Sequence, residues 1–465
     1  MTLGIESEFI GAELGDKRLE QRLLFVANRF YEAPSASIPE AMQTNMALEG
    51  TYRFLRNENV TPEAILAPHI AATSARVSQA GLCVVAHDTS HFCFPTERDG
   101  LGRGSNGKVD GRVFFGHVAL AVTLDGMRTP LGVLALETFA RKRPIPKSRK
   151  AKKKPESIFE TGRWGRVVTQ AEKQLDGSSQ VIHVMDREAD QYQLLARLIQ
   201  NRHRFVVRVC YDRAITREHS MPSRPTIKHA IEPLVGRFTR QVLLTAKDPK
   251  PLAKKRGHKK RVRNATLQFD AVSVEILLPE TAIDTAVNLP TSLSVNIVHV
   301  IETNVPDGYS PVEWKLVTTE PIETASDIET IVDAYRARWA IEEYFKALKT
   351  GCAMEKRQLE STKTIYNAFA VFVPIAWSLF RLRHLAREAP DTPAKQVLSD
   401  RQIKLLQRHP NVKLSDNPTS QESCLAIASL GGHIKYNGPP GWIVLGRGYE
   451  KLLQVELGAE LAGMT

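Results

Sequence analysis

Cysteine is scarce in this sequence, and its placement excludes two kinds of scaffold. Cys83, Cys93, Cys210, Cys352 and Cys424 are an odd number, widely spaced among 465 residues, with no Cys-x-x-Cys pair. That pattern offers neither a disulfide framework nor a zinc knuckle and reads as a reducing compartment. The opening MTLGIESEFIGAELGDKRLE lacks the apolar core of a signal peptide. Long hydrophobic runs are missing as well. The most membrane-like stretch, 368–380, is 13 residues long, contains Pro374 and is followed by Arg381 and Arg383. A spanning helix needs about 20 residues, so the expectation is a buried helix in a cytoplasmic protein. No internal repeat is evident, and an apolar fraction of 42% excludes wholesale disorder.

What is abundant is positive charge. Lys and Arg number 63 against 51 Asp and Glu, a net charge of +12. Such a balance suits a polyanionic partner, because cations that neutralise phosphates release condensed counterions. Two runs concentrate it: RKRPIPKSRKAKKK (141–154) has nine cations in 14 residues, and KKRGHKKRVR (254–263) has seven in ten. Their density suits phosphate tracking, which carries no sequence information.

The length suggests two to four domains. Residues 1–70 read as short helices. Asp16 can cap a helix with apolar positions Leu19, Leu23, Val26 and Phe30, while Lys17, Arg18, Arg22 and Arg29 occupy its other faces. After the turn APSASIP (33–39), a second helix around MALEGTYRFLRN carries Arg53 and Arg56. This unit either lies on DNA or is a helical pair with solvated charges. From residue 81 the pattern changes to strands: GLCVVAHDTS ends an apolar run at Asp88, and two further strands (113–124, 129–140) flank Asp125-Gly126, a hairpin signal. A helix (156–175), the strand SQVIHVMD ending at Asp186, the helix ADQYQLLARLIQN and the strand RFVVRV (204–209) follow. Antiparallel strands, then alternating helix and strand, give an α/β fold in the order of an RNase H-like core. Residues 211–311, rich in Thr, Val and Leu, read as a β-rich insertion. A long helix (326–350) ended by Gly351 as C-cap comes next, and 370–465 looks mainly helical.

Two acids at the ends of buried strands place carboxylates at the rim of a sheet, although Asp is also common there as a turn former. The helix DAYRARWAIEEYFKALKTG supplies a third, Glu342. Tyr335, Arg338, Glu342 and Lys349 stand at offsets of 0, 3, 7 and 14. At about 100° per residue these fall within about 60° of one another. An amphipathic helix with ion pairs such as Glu342 with Lys346 explains the charges, but it leaves Tyr335 and the fixed order unexplained. The chemistry that needs three carboxylates is phosphodiester cleavage: two divalent ions about 4 Å apart activate water and stabilise the leaving oxygen. Mg2+ prefers oxygen ligands.

These residues resemble the bacterial DDE transposases of the insertion-sequence-four group over nearly the whole chain. LGDKRLEQRL, SIPEAM and TYRFLRNENVTPEAIL are similar to that family's end-binding domain. HDTS and MDREADQY resemble its two aspartate blocks, and Tyr335, Arg338, Glu342 and Lys349 match its Y-(2)-R-(3)-E-(6)-K helix. SLGGHIKYNGPPGWIVLGRGYEKL looks like its dimerisation end. The resemblance implies an end-binding domain (1–70), a catalytic domain (71–369) with the insertion inside it, and a helical dimerisation region (370–465). It implies Asp88, Asp186 and Glu342 as catalytic ligands of two Mg2+ ions, with Mn2+ able to substitute. DNA contacts would be Tyr335, Arg338, Lys349, Arg208, Trp314 (beneath a flipped base), Arg22, Arg29, Arg53 and Arg56. The partners would be double-stranded terminal inverted repeats, target DNA and a second copy of the chain. The implied activity is cut-and-paste transposition through a DNA hairpin. Glu188, Asp190 and Glu343 are neighbouring acids that spacing does not exclude as ligands. Two competitors stand beside this reading: another RNase H-like nuclease such as a junction resolvase, and a catalytically inactive DNA-binding derivative or inhibitor.

Overall fold

The computed structural model describes residues 5–104, 111–141, 155–177, 179–217, 221–251, 258–280, 288–434 and 438–463. The centres of both basic runs, 142–154 and 252–257, lie outside the described residues, as do 435–437 of the C-terminal GHIKYNGPPG stretch. The chain forms two compact units, Met1–Gln180 with Trp339–Thr465, and Val181–Arg338.

The first unit begins with α1 (Lys17–Glu32), α2 (Ile38–Met42), α3 (Asn45–Arg56) and α4 (Pro62–Ala80), capped in turn by Asp16, Ser37, Thr44 and Thr61. Each cap side chain accepts an N–H that the helix leaves unpaired. In α1 the expected Leu23, Val26 and Phe30 are buried. Strands β1 (Cys83–Cys93), β2 (Val113–Thr123) and β3 (Pro130–Phe139) pair antiparallel. The β2–β3 connection is wider than a two-residue turn. The Asp125 carboxylate accepts the N–H groups of Met127 and Arg128 at 3.1 and 3.0 Å, and Arg128 takes the left-handed conformation (φ 51°). Helix α5 (Pro155–Glu172) follows.

The second unit contains β4 (Val181–Met185), α6 (Tyr192–Gln200), β5 (Phe205–Arg208), α7 (Ile227–Ile231), β6 (Phe238–Pro251), β7 (His258–Leu277), β8 (Ser292–Glu302), β9 (Glu313–Thr318) and α8 (Ala325–Ala337). Its strands run β4-β5-β9-β8-β7-β6, with β4 and β5 parallel and the other pairs antiparallel. Residues 211–311 are strand-rich, as their composition predicts.

Back in the first unit are α9 (Trp339–Lys346), a π-helical turn (Ala347–Gly351), α10 (Thr362–Glu388), α11 (Asp400–Arg408), α12 (Ser420–Leu430) and α13 (Trp442–Leu461). The expected single helix over 326–350 is therefore divided at Arg338, and it ends on a wide turn closed by Cys352 N–H to the Ala347 carbonyl at 2.8 Å. Gly351 lies inside that turn; the left-handed residue is Ala353 (φ 47°). The spacing argument for one continuous stripe is interrupted before Lys349, because the π turn that holds it changes the angle per residue.

Helix α10, at 27 residues, exceeds the 13-residue stretch read from the sequence and is long and apolar enough to span a membrane by length and composition. Within the first unit 83% of its apolar window is buried. Phe372 stacks on Phe30 of α1 at 4.7 Å, and Phe369 packs edge-on to Phe92 and Phe114 at 4.8 and 5.2 Å. Asn367 donates to the carbonyls of Leu55 and Val60. Each large aromatic contributes about 1.5–3 kcal/mol by leaving water. One helix thereby joins the N-terminal helices to β1 and β2.

Candidate active site

Asp88 lies in the middle of β1 rather than at its end. The fully buried run 83–87 stops there, but pairing with β2 continues from Asp88 opposite Val118 to Cys93 opposite Val113, so backbone hydrogen bonds carry the strand five residues further. Alternation puts Asp88 on the face that it shares with Phe92. On that face Phe345 of α9 and Phe369 of α10 pack against Phe92, and the Lys349 ammonium sits 5.1 Å from the centre of its ring. Burial lowers the Lys349 pKa, and the Glu355 carboxylate partly restores it. Glu355 itself accepts the Cys93 N–H at 2.9 Å. Asp88 is half-buried, and its Oδ1 accepts the Thr89 N–H at 2.7 Å.

Glu342 is half-buried in the first turn of α9, a helix packed on β1. Its neighbour Glu343 pairs with Lys346 at 2.5 Å and also accepts from Arg383 at 2.6 Å. Burial pushes the Glu343 carboxyl up, but these two cations outweigh it and hold it below its ordinary value. Asp190 is also committed elsewhere. It is 1% exposed and accepts from the N–H groups of Cys210 and Tyr211 and from Arg213. Both acids have structural occupations that spacing could not reveal.

Asp186 directly follows β4, as expected, and caps a 3-10 turn by accepting the Glu188 N–H at 2.9 Å. It belongs to the second unit, whereas Asp88 and Glu342 belong to the first. Among the described residues no three His, Cys, Asp or Glu side chains stand close enough to hold a metal ion. Neither unit gathers the three acids by itself.

In the second unit Trp314 and Tyr335 meet edge to face at 5.6 Å, and the Arg338 guanidinium lies 5.8 Å from the Tyr335 ring. Tyr335 and Arg338 are buried, at 1% and 7% exposure, while Trp314 is half-exposed. The expected aromatic and cation are together, with Trp314 the accessible member. Arg208 is half-exposed and donates to the Glu313 carbonyl at 3.3 Å.

Of the four N-terminal arginines, Arg53 and Arg56 are exposed and Arg22 and Arg29 half-buried. Arg22 and Arg29 both approach the exposed Phe25 ring, at 5.3 and 5.9 Å. Arg29 also donates to Gln43, Arg53 pairs with Glu49, and Arg56 pairs with Glu360.

One polar row was not read from the sequence. Thr89, His117 and Glu137 stand side by side on β1, β2 and β3, on the face opposite Asp88. The Thr89 hydroxyl meets His117 Nδ1 at 2.7 Å and accepts from Arg163 Nε at 2.9 Å. Arg166, one turn along α5, clasps Glu137 with two bonds of 2.9 and 2.6 Å. Burial, with Arg163 and Arg166 nearby, pushes the His117 pKa well below its ordinary value. The available signal was a histidine and a glutamate interrupting two apolar strands, and two arginines three apart on a helix.

The order β1-β2-β3, α5, β4, α6, β5, with mixed pairing and helices around it, is that of a mixed α/β, RNase H-like class. Residues 3–60 match the family described as Transposase DNA-binding, and residues 166–371 match the Transposase DDE domain. The chain therefore carries a transposase DNA-binding domain followed by a DDE transposase domain, and the two support its assignment to the DDE transposases. Asp186 and Glu342 lie within the second match, and the four N-terminal arginines lie within the first; Asp88 lies outside both.

Proposed function

We propose that this protein is a cut-and-paste DNA transposase of the insertion-sequence-four group, akin to the Tn-five transposase, acting on terminal inverted repeats in the bacterial cytoplasm. The observation that carries the proposal is the pairing of a DNA-binding match over α1–α3 with a DDE match that contains Asp186 and Glu342. Asp88, Asp186 and Glu342 supply oxygen donors only, which fits Mg2+, with Mn2+ as a substitute. When bound, two such ions would activate water and stabilise the leaving oxygen.

The chain's own residues would do the rest. Arg22, Arg29, Arg53 and Arg56 hold the transposon end. Lys349, on the Asp88 face of β1, neutralises a phosphate beside the acids. Arg208 holds the strand next to the scissile bond. Trp314, backed by Tyr335 and Arg338, offers its ring to an unstacked base during hairpin formation. A second copy of the chain completes the DNA complex.

The test is cleavage of supercoiled plasmid bearing the flanking repeats, with Mg2+ or Mn2+, by wild type, Asp88→Asn, Asp186→Asn and Glu342→Gln. Loss of a metal ligand is expected to cost about 4 kcal/mol of barrier lowering, or roughly a thousandfold in rate, while end binding persists. End binding by the wild type without any cleavage would favour an inactive DNA-binding derivative. Cleavage of branched DNA with no preference for ends would favour a junction resolvase.

A further inference from the structure

Thr89 is both the residue that follows Asp88 and the point where α5 is fastened to the sheet. Its N–H donates to Asp88 Oδ1 at 2.7 Å on one face of β1. Its hydroxyl is held on the other face by two neighbours, Arg163 Nε at 2.9 Å and His117 Nδ1 at 2.7 Å. A hydroxyl has one proton. It also has two lone pairs, so Thr89 accepts from Arg163 and meets His117 Nδ1 as donor or acceptor according to the imidazole tautomer, and the two contacts together hold the threonine side chain. Arg163 is 5% exposed and His117 fully buried, so water does not compete for either bond. Arg163 is further confined by the rings of Phe139 and Trp164, at 5.8 and 5.6 Å, and His117 rests edge-on to Trp164 at 4.5 Å. Arg166 on Glu137 anchors the same helix one turn away.

We infer that Thr89, Arg163 and His117 are positioning residues that fix the Asp88 carboxylate for metal binding. The inference rests on the reading of Asp88 as a ligand. A strand residue next to a carboxylate controls it through its peptide plane: rotating Thr89 moves the N–H that Asp88 Oδ1 accepts. Pinning the Thr89 side chain from below therefore restrains the carboxylate above. Partners that orient a ligand in this way typically alter metal affinity by about 10- to 100-fold.

The experiment titrates Mn2+ into the complex of the protein with terminal-repeat DNA, by calorimetry and by end cleavage. It compares wild type, Thr89→Val, Thr89→Ser, Arg163→Gln and Asp88→Asn. Thr89→Val keeps the shape but removes the hydroxyl; its Mn2+ midpoint is expected to rise about tenfold or more, with Thr89→Ser restoring the wild-type midpoint. Superimposed binding curves for wild type and Thr89→Val overturn the inference. If Thr89→Val does not fold, Arg163→Gln decides on the same criterion. Asp88→Asn separates the two levels. Wild-type Mn2+ binding and cleavage in that variant would remove Asp88 as a ligand, whereas loss there with unshifted Thr89→Val curves would remove only the positioning role.

Discussion

The Arg357 guanidinium donates to the backbone carbonyl of Ala36, a residue 321 positions earlier in the chain. The same group reaches the carbonyls of Pro34 and Cys352, and its Cζ lies 4.4 Å from the centre of the Phe372 ring. It is 2% exposed. Burial lowers its pKa to about 10, which leaves it charged at neutral pH. One side chain thus joins the turn between α1 and α2, the end of the π turn after α9, and α10.

Replacing Arg357 with Met should strand the buried carbonyls of Pro34 and Cys352 and the part-buried carbonyl of Ala36. Charge-assisted bonds of this kind contribute about 1.5–3 kcal/mol each and are not additive, so a net loss of about 3 kcal/mol or more is expected. Urea denaturation measures it. Arg357→Lys should recover only part, because an ammonium lacks the planar fork. A Met variant as stable as wild type would show that the clamp carries little.

Glu8 is 3% exposed, between His69 and Arg76. Burial alone would raise its pKa, but hydrogen bonds from His69 and Arg76 bring it down to about 2 from the ordinary 4.5. A carboxyl depressed by folding stabilises the protein above its unfolded pKa. That contribution, about 3 kcal/mol, is lost as pH falls from about 4.5 towards 2. In Glu8→Gln the acid limb of the stability profile should flatten over that window; an unchanged profile would place the acid sensitivity elsewhere.

The Arg53–Glu49 pair is 2.9 Å long with both side chains mostly exposed, and Arg56–Glu360 is likewise at the surface. Such pairs contribute about 0–1 kcal/mol to folding. Alanine at Arg53 or Arg56 should therefore leave thermal unfolding nearly unchanged. On duplex terminal repeats, however, each should reduce the slope of log K against log salt by about 0.9. An unaltered slope would mean that the residue does not meet a phosphate.

Trp314 has one side against Tyr335 and remains half-exposed. If a base stacks on it, Trp314→Ala should slow hairpin formation on pre-nicked ends by roughly 5- to 150-fold, matching about 1–3 kcal/mol of stacking. Trp314→Phe should lose less. A drop in melting temperature with hairpin rates intact would instead assign the ring to packing.

Local rules account for much of what could be read early. Asp16 as a cap, the spacing of Leu23, Val26 and Phe30, and Asp186 directly after an apolar run all depend on near neighbours, and the structure retains them. Elsewhere distant groups supply the deciding interaction. The apolar run ends at Asp88, yet pairing with β2 carries the strand on through Cys93. Gly351 suits a C-cap, yet the chain closes a π turn and uses Ala353 for the left-handed step.

By itself the sequence determined the order of helices and strands and the excess of positive charge, because periodicity, capping and composition are properties of contiguous residues. Only the tertiary structure decided which acids are already engaged. Glu343 is bound to Lys346 and Arg383, and Asp190 to Arg213, while Thr89 is held by His117 and Arg163. These partners lie up to 74 positions apart, and hydrogen bonds and ion pairs act over a few ångströms of space, not along the chain.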